Sequence, residues 1–135
     1  MSEKSNEQQN FKIEYSSSTG DGRLYAREKL GVAVWKLATG VEGIKARLAD
    51  AYIELAIIQE SDLPPELVDE WKKIRADLTK GKMKYENKIV DGEIVEVPIG
   101  LLLSTLRYMR KKKAQDIARR ICHLKSMLDV YIENE

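Results

Sequence analysis

Apolar residues recur at steps of three and four over most of this chain, a spacing that predicts helices whose stripes face a common core. From about residue 23 to 38, Leu24, Leu30, Val34 and Leu37 lie near one stripe, while Arg23, Arg27, Glu28 and Lys36 avoid it. Gly40 is a natural stop. Thr39 followed by Glu42 matches a capping box, in which hydroxyl and carboxylate each accept an otherwise orphaned backbone N–H, so a second helix is expected to start at once. In it Val41, Ile44, Leu48, Tyr52, Leu55 and Ile58 form the most regular stripe in the sequence. Ser61-Asp62-Leu63-Pro64-Pro65 ends that stripe, because proline lacks an N–H and disfavours helical geometry in its predecessor, yet suits a first turn. A third helix comes next with Leu67, Trp71, Ile74 and Leu78 inward, and Gly81 closes it.

The period then changes. Ile89-Val90-Asp91-Gly92-Glu93-Ile94 sets Asp-Gly between β-branched residues, a strong short-range signal that predicts a β-hairpin at about 84–98. A lone hairpin is marginal in water, so it is expected to lean on the helices, and Phe11, Ile13 and Tyr15 offer the pattern of a third strand. Helical spacing returns from Gly100 to Glu133 at Leu102, Leu106, Met109, Ile117, Ile121, Leu124, Leu128 and Tyr131. Unbroken, this segment would be a rod of roughly 50 Å. The expected fold class is therefore mainly α: a four-helix bundle-like domain with a small β-hairpin inserted before a long C-terminal helix. Residues 1–20, polar with a Ser- and Gly-containing stretch, are read as a flexible N-terminal segment ahead of a single helical domain at 21–135.

Length and composition narrow the class. A chain of 135 residues suits one core, and 43% hydrophobic with 33% charged residues is a globular mixture that argues against disorder throughout. With 23 Lys plus Arg against 22 Asp plus Glu, no whole-molecule field draws the protein to nucleic acid or anionic lipid, so any electrostatic function must be local. Cys122 is the only cysteine, which excludes an intramolecular disulfide. Met1-Ser2-Glu3-Lys4 opens no apolar signal region, and no apolar run approaches the roughly 20 residues that span a bilayer. A cytoplasmic location without membrane contact is expected.

Charge is concentrated in one place. Residues 107–125 carry Arg107, Arg110, Lys111, Lys112, Lys113, Arg119, Arg120 and Lys125 against the single acid Asp116, which makes this patch the candidate anion or nucleic-acid site. On one unbroken helix Arg110 and Lys113 would fall inside the apolar stripe, where an unpaired cation costs several kcal/mol. Three resolutions are open: a break or overhang near residues 108–113, pairing with acids from other helices, or a bound phosphate-like anion. Zinc-finger spacings, single-strand-binding aromatic signatures and a helix-turn-helix register are absent.

Catalytic chemistry finds little support. His123 is the only histidine, and its neighbour Cys122 points to a different helix face, so the two cannot form a nucleophile pair. Asp69 with Glu70, and Glu93 with Glu96, sit among lysines as solvated surface does, and Gly20-Asp21-Gly22 lacks the Lys-Ser/Thr of a phosphate loop. No catalytic residue, cofactor, metal or small-molecule substrate is expected. Trp71 falls in a stripe and reads as a core anchor. Trp35 lies off its stripe and, with Leu102, Tyr108 and Tyr131, is a candidate partner surface. The reading is a non-enzymatic interaction protein, a small accessory or regulatory subunit acting through protein–protein contacts and as a homo-oligomer. The alternative is a nucleic-acid-binding protein using the basic patch.

Overall fold

The computed structural model describes residues 22–81 and 84–135; the candidate N-terminal flexible segment and the Phe11–Tyr15 strand lie outside these. Helix α1 (Gly22–Thr39) buries Ala26, Leu30, Ala33 and Leu37 and packs against α2 (Ile44–Ala56) and α5 (Lys111–Glu133). Ala26 and Ala33 are fully buried, whereas Leu24, expected in the stripe, is 40% exposed. In α2, Leu48, Ala51 and Leu55 turn inward. A 3₁₀ turn (Glu60–Asp62) and the Pro64-Pro65 pair lead into α3 (Pro65–Leu78), whose buried Leu67, Trp71, Ile74 and Leu78 match the sequence stripe residue for residue. The Trp71 indole N–H donates to the Leu55 carbonyl at 3.4 Å, and the Arg75 guanidinium lies 4.8 Å from its ring centroid.

The capping box expected at Thr39 and Glu42 does not form. The Thr39 hydroxyl donates backwards to the Trp35 carbonyl at 2.8 Å, and α2 begins at Ile44 behind Gly43, which makes no side-chain cap. Val41, expected in the stripe, is 92% exposed. The physical reason is Arg47, whose guanidinium donates to the Leu37 carbonyl at 2.7 Å and the Glu42 carbonyl at 2.9 Å. It satisfies one carbonyl left over at the end of α1, that of Leu37, and one in the loop, that of Glu42, and so holds residues 40–43 as a loop. Gly40 permits this, since a Cβ there would lie 2.6 Å from Arg47 Cγ.

The hairpin is where the Asp-Gly signal puts it. Strands β1 (Lys84–Val90) and β2 (Glu93–Ile99) pair antiparallel, with Val90 opposite Glu93 and Ile89 opposite Ile94. Asp91 at φ 53° and Gly92 at φ 81° make the two-residue turn with both φ positive, whose twist suits the flanking strands. Tyr85, Ile89 and Ile94 share one face by this register and are all more than half exposed. On the other face Glu86 pairs with Arg107.

The long C-terminal rod is a correction. It is two helices, α4 (Leu101–Tyr108) and α5, separated by Met109 and Arg110, both extended at ψ 141° and 148°. The break drops the Met109 side chain into the core at 8% exposure and resets the helical phase from Lys111 onward. Ala114, Ile117, Ile121, Leu124 and Leu128 form the buried stripe of α5, while Arg110 is exposed. Leaving two peptides outside a helix costs less than sealing a guanidinium in apolar surroundings. Among the described residues the chain is thus mainly helical, with a small antiparallel hairpin.

Candidate functional site

Where α3 runs out, the loop at Lys80 and Gly81 passes beside α4 and the start of α5 and leaves a groove of about 600 Å³. Three cations from separate stretches of chain line it: Lys80 after α3, Arg110 between the last two helices, and Lys113 in the first turn of α5. Tyr108 and Met109 form the apolar wall, and Ser104 and Thr105 the floor. Thr105 is held rigidly, because its hydroxyl accepts the Gly81 N–H at 2.7 Å and donates to the Leu101 carbonyl at 2.7 Å. Gly81 is required by this approach, since a Cβ would stand 2.8 Å from the hydroxyl and 3.0 Å from Thr105 Cα.

The eight basic residues read from the sequence divide into paired and open groups. Arg120 reaches from α5 to α3, donating to Glu70 and to Asp77 at 2.8 Å each. Lys113 lies 3.7 Å from the same Asp77 carboxylate. Arg107 pairs with Glu86, Arg119 stands 4.0 Å from Asp116, and Lys125 donates to Asp129 at 2.7 Å. Burial pushes the Asp77 carboxyl up, but the hydrogen bond from Arg120 and the charges of Lys113, Arg120 and Lys80 outweigh it and hold Asp77 below the usual carboxylate value. Burial also disfavours the charged Arg120, and the hydrogen bonds to Asp77 and Glu70 more than offset it, so its pKa is raised. The hydrogen bond to Glu86 raises Arg107.

Arg110, Lys111 and Lys112 remain. All three are exposed, and among the described residues none has a carboxylate within 4 Å. They sit at the N-terminal end of a 23-residue helix with no acid in its first turn and no side-chain cap. Cations there oppose the helix dipole, which favours acids at that end. Two of the three resolutions open to the sequence therefore operate together: the helix breaks, and Asp77 and Glu70 pair with the bases that face inward. Lys80 was not among the residues read from sequence. It lies beyond the end of α3, outside the 107–125 run, and the approach of α4 to Gly81 brings it to the groove.

The four candidate partner residues separate by burial. Trp35 is 64% and Tyr108 66% exposed. Leu102 packs against the core, and Tyr131 is half-buried with the Arg23 guanidinium 5.1 Å from its ring centroid. Trp35 borders a second groove between α1 and α5 with Leu24, Gly31 and Lys125. Cys122 is exposed. Among the described residues no group of three or more His, Cys, Asp or Glu is placed to hold a metal ion, and no helix is long and apolar enough to cross a membrane. Comparison with protein-family models, with curated proteins and with solved structures gives no match to this chain.

Proposed function

We propose that this protein is a non-enzymatic interaction protein, an accessory or regulatory subunit that works by presenting apolar surface to a polypeptide partner. On this reading α1, α2, α3 and α5 make a four-helix bundle-like body, and the hairpin with α4 is the part that engages. One observation carries the reading. Two consecutive elements, the hairpin and α4, leave Tyr85, Ile89, Ile94, Leu103 and Tyr108 between 55% and 76% exposed. Exposed apolar residues on two consecutive elements are surface that another chain can cover, and a two-stranded sheet has little stability of its own in water. The test is purification from the native host of the wild type and of a variant with Ile89→Thr, Ile94→Thr and Leu103→Ser. A stoichiometric polypeptide retained by the wild type and lost by a variant of equal helical content supports the reading. Wild-type protein that is monomeric and free of bound polypeptide counts against it.

A second reading is favoured by the three open cations at the head of α5. Arg110, Lys111 and Lys112, flanked by Lys80 and Lys113 in the groove, suit a phosphate backbone, whose binding displaces condensed counterions. Fluorescence anisotropy with labelled oligonucleotides across a salt series tests it. Arg110→Glu, Lys111→Glu and Lys112→Glu combined should abolish binding, and identical titrations of wild type and triple variant would end this second reading.

A further inference from the structure

Among the described residues the sheet has two strands, so within them each has one edge without a neighbour, and the two edges are not equivalent. Residues that flank a two-residue turn exchange their N–H···O bonds with each other, and the pattern alternates from there. With Val90 opposite Glu93, the inward backbone groups of β1 belong to Val90, Lys88, Glu86 and Lys84. Tyr85, Asn87 and Ile89 therefore direct N–H and C=O away from β2. On β2 the outward set is Ile94, Glu96 and Pro98. Pro98 has no N–H to give, so this edge is blunted, while the β1 edge offers three unblocked donor and acceptor pairs.

We propose that the β1 edge pairs with the β1 edge of a second copy of this chain, antiparallel about a twofold axis at Asn87, making one four-stranded sheet. This rests on the interaction role proposed for the hairpin and names its partner. Complementarity of residue types favours this register. A twofold axis at Asn87 sets Tyr85 opposite Ile89 of the other copy, Glu86 opposite Lys88, and Asn87 opposite Asn87. Aromatic against β-branched and acid against base are favourable cross-strand pairs, and no like charges meet. The axis also falls on a residue whose backbone groups face outward, as a hydrogen-bonded antiparallel pair requires. The same operation on β2 would centre on Glu96, set carboxylate against carboxylate and meet Pro98.

Three consequences agree with the observed surface. Ile94 and Ile89, 74% and 76% exposed, gain Tyr85 of the other copy as the next residue in their row across the sheet. Glu86 already pairs with Arg107, and its side chain keeps 33% of its surface open for a second cation. Assembly stops at two, because the pairing is isologous and the outer edges of the new sheet are the Pro98 edges.

Sedimentation equilibrium across the micromolar range, with site-specific oxidation, tests this. In a Cys122→Ser background, Asn87→Cys places two thiols across the axis at a Cα separation of about 5.5 Å, within disulfide reach. Expected are a dimer for the wild type, rapid cross-linking of Asn87→Cys but not of Glu96→Cys, and dimerisation weakened about tenfold or more by Ile89→Lys at unchanged helical content. Asn87→Cys cross-linking no faster than Glu96→Cys overturns the register. A wild-type monomer that still retains a different host polypeptide overturns the twofold pairing and leaves the interaction reading standing. A monomer that retains nothing overturns both.

Discussion

The Arg120 guanidinium on α5 bridges two carboxylates seven residues, or about two turns, apart on α3: Glu70 through Nε and Asp77 through Nη1, each at 2.8 Å. A planar fork is suited to this double contact in a way an ammonium is not. Side-chain exposures of 23–31% for the three residues leave water partial access, so the network is worth more than a surface pair and less than a sealed one. Arg120→Ala is expected to lower unfolding stability by about 1–2 kcal/mol, and Arg120→Lys to recover only part of it. Urea denaturation followed by circular dichroism measures both. An Arg120→Ala midpoint equal to wild type would show that the bridge contributes nothing.

The Asp77 carboxyl lies below its ordinary 3.8 in the folded protein, so its contribution to stability is present above that value and is lost as pH falls through the lower folded one. Between about pH 6 and about pH 3 the wild type is expected to lose stability more steeply than Asp77→Asn. Above about pH 6 the two slopes should coincide. Denaturation curves at a series of pH values check the sign.

Core and surface apolar residues on α5 should respond very differently. Leu124 is fully buried and Val130 is 55% exposed. Leu124→Ala is expected to cost about 2–5 kcal/mol, whereas Val130→Ala should stay within about 0.5 kcal/mol. Thermal unfolding of the pair would reveal a misplaced helix phase if the order were reversed.

Two glycines should give opposite signs. At Gly81 an added Cβ meets Thr105 at 2.8–3.0 Å, including its backbone, so Gly81→Ala is expected to destabilise by about 1–3 kcal/mol. At Gly43, the N-cap of α2, nothing lies within 4 Å of an added Cβ and the first turn holds no acid. Gly43→Asp should stabilise by about 0.5–1 kcal/mol through a cap bond, the helix dipole and a less flexible unfolded chain. Chemical denaturation of both variants against wild type tests this contrast.

How far the sequence could be read depended on whether a signal was local. Asp91-Gly92 determined the hairpin because the chemistry of a two-residue turn lies in the two residues themselves, and the α3 stripe was legible because Pro65 and Gly81 bracket it. The interruption at Met109 and Arg110 carries no glycine or proline. It arises because Met109 has a core position to fill while Arg110 has none, a comparison that needs the other helices in place. Thr39 and Glu42 had the right spacing for a cap but lost to Arg47, whose competing hydrogen bonds close only after α2 folds back on α1. The basic patch was visible as composition, yet its division was not. Glu70 and Asp77 reach Arg120 from more than forty positions away, so only tertiary structure separates the bases engaged at home from Arg110, Lys111 and Lys112.

Trp71 is 3% exposed beneath Arg75, while Trp35 is 64% exposed at the rim of the α1–α5 groove. The molecule thus carries two optical reporters in contrasting media. Aqueous acrylamide should quench the red-emitting Trp35 first and leave the bluer emission of Trp71, so steady-state fluorescence can follow occupancy of the outer surface and melting of the interior in one sample without any attached dye.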